Sequence, residues 1–256
     1  RIDIFDKTYS RFRTDSLVAE ISEKVGAYIF PDDVEKLFSI YRKMFVLTDG
    51  LMTPLVGNLI SDLGYDRMYS LKPKEKINQP KVWDEVMSYV HPQLTTKEPV
   101  LLDFGAAGKG YLIDIVAEII DEADIKNFLI NAGGDIRCES ATEEKFTIGL
   151  ENPKDFKQII GTVSIAKGSI CGSSGNRRRW DKYHHIINPK TLSSPENILA
   201  LWVVADTTIL ADALSTALFF IEPEIAQKEF TFEYLILYPD FSIKVSDDFP
   251  GEFFKS

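Results

Sequence analysis

Cysteine is nearly absent from this chain of 256 residues, which contains only Cys138 and Cys171. Two thiols without a CxxC spacing provide neither a disulfide framework nor a cysteine-ligated zinc site. The sequence leaves open whether they pair with each other, and two buried, inert thiols are the prediction. Long apolar runs are missing as well. Because no stretch of 18 apolar residues occurs, the sequence excludes a transmembrane helix.

Basic residues are outnumbered, with 29 Lys and Arg against 39 Asp and Glu and a net charge of −10. This balance argues against nucleic acid as a partner. The run 177–179 consists of three arginines, which indicates either a solvated loop or a local basic site. No signal peptide is recognisable, but the chain starts at Arg1 within a helical pattern. We therefore expect that a leader or anchor has been removed, and the compartment stays open.

The apolar pattern of the first 65 residues is helical, and Asp32 and Asp33 are expected to cap a helix that ends near residue 48. A short amphipathic helix is predicted for residues 82–90. The segment "EPVLLDFGAAGKGYLIDIVAEIIDEA" predicts a strand, a glycine turn and a helix.

Later segments rich in β-branched residues predict strands, interrupted by one helix over residues 205–221. Helices come first and mixed elements follow, without regular βαβ alternation. This order indicates an α+β fold, which we expect to form a single domain over residues 1–256.

The helix "ADTTILADALSTALFFI" carries polar side chains in apolar surroundings. Asp212 and Thr216 are four residues apart and therefore share one helix face. A carboxylate and a hydroxyl on one face suit a hard cation such as Mg²⁺. The alternative is that Thr216 bonds back to a carbonyl of its own helix while Asp212 meets solvent.

Three glycine- or histidine-bearing segments add candidate site residues. In "DFGAAGKGY", backbone N–H groups at a helix start and Lys109 would suit a phosphate, although a glycine turn with a solvated lysine is the alternative. "NAGGDI" predicts a hairpin turn. In "YHHIINP", His184 and His185 point to opposite sides of a strand, so at most one serves a given site.

The order of the motifs resembles the ApbE family, the FAD:protein FMN transferases. The resemblance extends from about residue 8 to residue 221. It rests on "SRFRTDS", "TDGLMTPLVG", "LDFGAAGKGYLID", "INAGGDI", "SSGNRRR", "HHIINPKT" and "ADALSTALF".

The resemblance implies a T-fold-like α/β roll, in which mixed or antiparallel sheets pack against helices around FAD and Mg²⁺ or another divalent cation. The implied reaction transfers FMN from FAD to a Thr or Ser hydroxyl of a target flavoprotein and releases AMP. The implied metal ligands are the Ala106 carbonyl, Asp212 and Thr216. Asp212 and His185 are the two candidates for accepting the hydroxyl proton. The implied FAD-binding residues are Phe12, Leu51, Met52, Thr53, Asp103, Lys109 and Ile187.

This chain departs from the usual family pattern at three positions. Asn188 and Thr53 stand where aspartate is more usual, and Gly108 stands where alanine is common. A Mg²⁺-dependent FAD pyrophosphatase and a flavin-binding protein without turnover are the alternative functions. Family members are often lipid-anchored outside the cytoplasmic membrane, so the resemblance allows an anchor ahead of Arg1 and either an extracytoplasmic or a cytoplasmic location.

Overall fold

The computed structural model describes residues 1–254. Its helices, in chain order, are α1 (Ile2–Tyr9), α2 (Leu17–Glu23), α3 (Glu35–Leu47), α4 (Gly57–Asp62), α5 (Trp83–Val86), α6 (Gly108–Glu122), α7 (Thr208–Ala217) and α8 (Pro223–Ala226). The strands are β1 (Ala27–Ile29), β2 (Met87–Val90), β3 (Gln93–Thr96), β4 (Asn127–Ala132), β5 (Asp135–Ser140), β6 (Phe146–Asn152), β7 (Asp155–Ile165), β8 (Lys167–Ser174), β9 (Arg179–Trp180), β10 (Tyr183–His184), β11 (Ala200–Ala205), β12 (Glu233–Leu237), β13 (Ile243–Val245) and β14 (Gly251–Phe253).

The described chain divides into two compact units. The first unit contains residues 1–108 and 179–195, and the second contains residues 109–178 and the chain from 196 onward. The boundary falls at the start of α6, directly after the glycine turn. The expectation of a single domain over residues 1–256 is not decided by this division and stays a prediction.

The first unit combines helices α1 to α5 with a three-stranded antiparallel sheet of order β1-β3-β2. Aromatic rings fill its interior: Phe38 stacks on Tyr89 with centroids 4.2 Å apart and meets Phe104 edge-on at 5.8 Å. A separate apolar cluster joins α4 to the segment 179–195. There, the indole N–H of Trp180 donates to the carbonyl of Leu63 at 2.7 Å.

The second unit is built on a six-stranded sheet of order β13-β12-β11-β8-β5-β4, in which all neighbouring strands pair antiparallel. A three-stranded sheet, β14-β7-β6, shares one apolar cluster with it. Strand β11 shows how both faces are covered, because Ala200 and Trp202 belong to this cluster while Leu201 and Val203 are buried on the opposite face. Helix α7 contacts β8 and β11.

The start of α7 is held by α6. The two carboxylate oxygens of Asp114 accept the backbone N–H groups of Thr208 and Ile209 at 2.9 and 2.8 Å. These N–H groups lie in the first turn of the helix and have no partner within it. Thr207, the N-cap residue, makes no capping bond of its own, so a side chain of another helix supplies the cap.

The structure confirms the α+β class with antiparallel sheets and helices. It also confirms that both cysteines are buried, and they are free rather than paired. Burial raises the pKa of the Cys138 thiol to about 11, which keeps it protonated and unreactive at neutral pH. None of the helices within residues 1–254 has the length and apolar composition that crossing a membrane requires.

Several local predictions are wrong. Residues 99–103, expected to be a strand, join no sheet, and only the first half of 82–90 is helical. The second half pairs with β3, so tertiary pairing overrides the helical pattern. Asp32 and Asp33 form a 3-10 turn before α3 instead of capping it. The helix expected over 205–221 is shorter, and β1 interrupts the helical N-terminal segment.

The close approach between α6 and α7 leaves no room for a Cβ atom at Gly110. A Cβ on Gly110 would lie 2.3 Å from the carbonyl oxygen of Thr208 and 2.8 Å from Cβ of Asp212, whereas one on Gly108 would meet only ordinary contacts. We expect Gly110→Ala to destabilise the fold by about 3 kcal/mol, since backbone must move. Gly108→Ala, the matched control, should be neutral or slightly stabilising. Urea denaturation measures both, and equal stability of the two variants would contradict the packing described.

Candidate functional site

Asp212 is a buried carboxylate at the junction of α6 and α7. It is 6% exposed, and its Oδ2 accepts the backbone N–H of Gly110 at 2.8 Å. That N–H belongs to the first turn of α6, where helix N–H groups point outward to an acceptor. The alternative that Asp212 meets solvent is therefore wrong, because the carboxylate points into the protein.

Thr216 lies one turn after Asp212 on the same face of α7 and is half-buried. Its hydroxyl makes no hydrogen bond with any residue in the range 1–254. The expected back-bond to the helix is made by a neighbour instead. Ser215 donates to the carbonyl of Asp212 at 2.8 Å and lies 2.8 Å from the hydroxyl of Ser173 on β8. The Thr216 hydroxyl is thus left available for a ligand.

Lys109 is held by a second buried carboxylate, that of Asp135. From the sequence, Asp135 was predicted only to end a hairpin turn. Nζ of Lys109 lies 2.7 Å from Oδ2 of Asp135, the first residue of β5. The side chain of Asp135 is 2% exposed, whereas that of Lys109 is 37% exposed. The ammonium group is therefore fixed from the protein side and still open toward solvent. The only sequence signal for Asp135 was its place at the end of "NAGGDI".

Both buried carboxyl groups have raised pKa values. Burial raises the pKa of Asp212 well above its ordinary value, and the nearby negative charge of Asp135 adds to this rise. Burial likewise raises the pKa of Asp135, opposed by the Lys109 ammonium. Two buried acids with one half-exposed ammonium leave negative charge uncompensated when both ionise. A bound cation would supply the missing compensation.

Few protein side chains near Asp212 could bind a metal ion. Within the described part of the chain, no group of three or more His, Cys, Asp and Glu side chains is placed to hold a metal ion. Asp212 and Thr216 contribute one carboxylate and one hydroxyl, both oxygen donors. Such a set fits a hard cation that keeps water or phosphate oxygens as its other ligands, as Mg²⁺ commonly does.

The turn between β4 and β5 is fixed by a side-chain bond and by an arginine. Gly133 and Gly134 have φ of +65° and +101°, and the Gly134 N–H donates to Oδ1 of Asn131 at 3.0 Å. Arg177 donates to the carbonyl of Gly133 at 3.2 Å and forms an ion pair with Glu151. Arg177, the first arginine of the basic run, is thus an exposed turn residue that also holds the hairpin turn.

In the first unit, Asp103 organises the glycine turn. Its Oδ1 accepts the N–H of Gly105 at 2.7 Å, and its Oδ2 pairs with Nε of Arg11. Its own N–H donates to the carbonyl of Pro54 at 2.7 Å, which joins the "TDGLMTP" segment to this turn. Asp103 and that segment are therefore brought together, as the resemblance requires.

Arg11 is a buried residue that was not among the predicted site residues, although it lies in the motif "SRFRTDS". Its side chain is 3% exposed and also donates to the carbonyl of Tyr65 at 2.8 Å. Its guanidinium lies 4.2 Å from the ring centroid of Phe12 and 5.2 Å from that of Tyr65. Arg11 thus connects the predicted flavin-side aromatic, Phe12, with the predicted FAD-binding acid, Asp103.

The residues after the "TDG" turn are mostly interior. Leu51 is half-buried, whereas Met52 and Thr53 are 2% and 5% exposed. Thr53 caps a 3-10 turn by accepting the N–H of Leu55 at 3.2 Å. Ala106 lies in the turn before α6, and its N–H donates to the hydroxyl of Tyr41 at 3.2 Å. The N–H of Met52 donates to the hydroxyl of Thr48 at 2.9 Å, so this residue is engaged within the protein.

The two histidines have different environments. His184 is 4% exposed; its Nε2 lies 2.9 Å from the carbonyl of Pro195, and its Nδ1 accepts the Ile186 N–H. His185 is half-buried, so it is the histidine with a partly accessible ring. Ile187 packs into the apolar cluster with α4. Asn188 accepts the N–H groups of two following residues, so the turn that an aspartate would form is retained.

Removing the Arg11 guanidinium should cost far more stability than removing a nearby exposed one. Arg11→Met leaves the largely buried carboxylate of Asp103 without its cation, and we expect a loss of about 3 kcal/mol. Arg13→Met is the matched control. It breaks an exposed pair with Asp15 and should cost less than about 1 kcal/mol. Chemical denaturation measures both losses. Similar values for the two variants would show that Arg11 does not organise the first unit.

Asp212 should make the stability of the metal-free protein depend on pH. A raised pKa in the folded state contributes stability that is full below the ordinary value of 3.8 and is lost as the pH rises through the raised value. We expect Asp212→Asn and wild type to be similarly stable near pH 4 and the variant to be more stable near pH 8. Denaturation in EDTA at both pH values measures this. Exposed Asp247→Asn is the control, and a pH-independent difference for Asp212→Asn would contradict a buried acid.

Comparison with known proteins places this geometry in a family. A model described as the ApbE family matches residues 1–233. The FAD:protein FMN transferase of Escherichia coli strain K12 is 23% identical over 93% of this chain and 74% of its own length. The Haemophilus influenzae protein of the same name is 26% identical over 81% of this chain and 67% of its own.

Solved structures show the same fold. The ApbE protein of Thermotoga maritima superposes with a TM-score of 0.79 at 22% identity, covering 95% of this chain and 85% of the other. The flavin transferase ApbE of Vibrio cholerae gives a TM-score of 0.74 at 18% identity, covering 95% and 84%. Because the family model spans most of the sequence and the fold agrees, the chain belongs to the ApbE family.

Proposed function

We propose that this protein is an enzyme that transfers the FMN part of FAD to a Thr or Ser hydroxyl of a target flavoprotein and releases AMP. Family membership supports flavin transfer, since the curated relatives are named FAD:protein FMN transferases. One observation carries the proposal furthest. The buried Asp212 carboxylate is fixed at the start of α6, beside a Thr216 hydroxyl that no residue within 1–254 engages.

The proposed reaction breaks the phosphoanhydride bond of FAD and forms a phosphoester bond to the acceptor hydroxyl. The acceptor oxygen forms a bond to the phosphorus of the FMN half, and the bond from that phosphorus to the bridging oxygen breaks. AMP leaves with the bridging oxygen, and the hydroxyl proton passes to a base. Negative charge increases on the leaving phosphate, so nearby positive groups favour the transfer.

Asp212 and Thr216 would hold the divalent cation, with the Ala106 carbonyl as the third ligand that the sequence resemblance implies. Bound Mg²⁺ would neutralise charge on the pyrophosphate oxygens and so make AMP a better leaving group. The protein supplies few ligands, which leaves coordination positions for the substrate. The excess negative charge of Asp212 and Asp135 is what makes a cation favourable here.

Lys109 would bind a phosphate oxygen of FAD. Its pairing with Asp135 restrains the ammonium, and its partial exposure leaves donors for a ligand. A restrained donor loses less conformational entropy on binding than a free surface lysine does. For the remainder of FAD, we retain Phe12, Leu51, Met52, Thr53, Asp103 and Ile187 as the proposed binding residues.

Of the two candidate bases, we propose His185. The carboxylate of Asp212 already accepts the Gly110 N–H, and a cation bound to it would lower its basicity further. His184 uses both ring nitrogens within the protein. His185 is half-buried. Histidine is the side chain whose charge normally changes between pH 5 and 8, which suits it to proton transfer near neutral pH.

The products of FAD cleavage test this function. The protein is incubated with FAD, Mg²⁺ and a flavin-free protein extract, and we expect AMP together with flavin fluorescence on a denatured protein band. Asp212→Asn should lose at least about 100-fold in rate, as removal of a charge-stabilising group commonly does, while Asp240→Asn, an exposed control, should retain wild-type activity. EDTA should abolish the reaction.

The alternatives give different products. FMN and AMP without any protein adduct would identify a pyrophosphatase and contradict transfer. Intact FAD that binds without AMP release would identify a flavin-binding protein. Wild-type rates for Asp212→Asn would remove the proposed cation site even if transfer occurs.

A further inference from the structure

The segment 67–81 differs in charge from the remainder of the molecule. It contains five basic residues and one acidic residue, a local net charge of +4 in a chain whose net charge is −10. Most of its residues are exposed. Because charges in physiological salt act over roughly 8 Å, a molecule at this surface would meet the local positive charge more strongly than the distant acidic surface.

Three of the five basic side chains in this segment have no ion-pair partner within residues 1–254. Lys74 pairs with Asp62 at 2.8 Å, and Lys81 pairs with Glu98 at 3.1 Å. The side chains of three others make no ion pair or hydrogen bond with any residue in the range 1–254. These are exposed Arg67, Lys72 and Lys76. They can pair with an incoming anion without breaking an existing contact.

The segment also presents large apolar side chains on a loop of defined shape. Asp66 accepts the N–H groups of Met68 and Ser70 at 2.8 and 3.1 Å, and the Leu71 N–H donates to the carbonyl of Gly64 at 2.8 Å. Met68 is nevertheless 84% exposed and Tyr69 is 54% exposed. Exposed methionine and tyrosine are typical contact residues of protein-binding surfaces.

This loop adjoins the proposed flavin site within the first unit. The ring of Tyr69 stacks on Phe12, with centroids 5.2 Å apart and planes at 14°. Tyr65 meets both rings edge-on. Phe12 is the aromatic that the sequence resemblance places near the flavin nucleotide. A polypeptide bound along residues 67–81 would therefore reach toward FMN.

We propose that residues 67–81 dock the acceptor protein through an acidic stretch of its chain, an inference that rests on the proposed function. The unpaired basic side chains at positions 67, 72 and 76 favour a negatively charged partner. Met68 and Tyr69 supply apolar contact area. The overall charge of −10 opposes nucleic acid, so an acidic polypeptide is the occupant that these features favour.

A binding experiment tests the charge selectivity. Two fluorescent 15-residue peptides share a central Thr; one has four flanking Asp or Glu residues, and the other has Asn or Gln in their place. In low salt, wild type should bind the acidic peptide about fivefold more tightly, as expected for a few exposed ion pairs. Combined R67E, K72E and K76E substitutions should weaken that binding by roughly tenfold and remove the preference.

A matched variant controls for net charge. Combined K145E, K157E and K228E substitutions change the net charge equally at three exposed lysines of the second unit. This control should bind the acidic peptide within about twofold of wild type, because those lysines lie outside the proposed surface. Circular dichroism and FAD affinity should match wild type in both triple variants. Equal peptide affinity of the two triple variants, or equal affinity of wild type for the two peptides, would overturn the proposal.

Two further measurements separate the possible outcomes. If FMN is transferred to extract proteins and the R67E, K72E and K76E variant transfers it at the wild-type rate, the docking proposal fails while the proposed function stands. If no FMN is transferred by wild type, the proposed function fails.

Vesicles containing phosphatidylglycerol are the other probe. Binding to them that depends on positions 67, 72 and 76, without peptide selectivity, would identify a membrane-facing surface and overturn acceptor docking.

Discussion

The burial of the Asp212 carboxylate is the constraint on which the second unit depends. The acid lies where α7 meets the first turn of α6, and the approach is so close that Gly110 has no room for a side chain. An ionised carboxylate in such a place is costly unless a partner compensates its charge. The Gly110 N–H offsets part of this cost. The cation that we propose at this site would offset the remainder.

The same logic extends to Asp135 and Lys109. The Lys109 ammonium neutralises one of the two buried acids, and it is held by Asp135 while the lysine side chain remains 37% exposed. The arrangement leaves net negative charge on the two acids when both are ionised. Helix α6 contributes through Asp114 as well, since this residue caps α7 and so fixes the helix that carries Asp212 and Thr216. A helix rather than a loop therefore carries the two side chains proposed as metal ligands.

Sequence reasoning predicted the features that depend on local pattern. Four-residue spacing predicted that Asp212 and Thr216 share a face, and enrichment in β-branched residues predicted most strands of the six-stranded sheet. Long-range pairing was not predictable in this way. Nothing local shows that residues 87–90 pair with β3 instead of extending a helix. The partners of Asp135 and Asp103 are 26 and 92 positions away, so their ion pairs arise only when the chain folds.

The most direct test of the cation site uses Mn²⁺ in place of Mg²⁺ in crystals grown with FAD. Anomalous diffraction locates the metal independently of any assumption about its ligands. The account predicts a peak roughly 2.2 Å from an Asp212 carboxylate oxygen and from the Thr216 hydroxyl, a distance ordinary for a hard cation bound by oxygen. A fully ordered FAD without a metal peak at Asp212, or with the metal bound elsewhere, would contradict it.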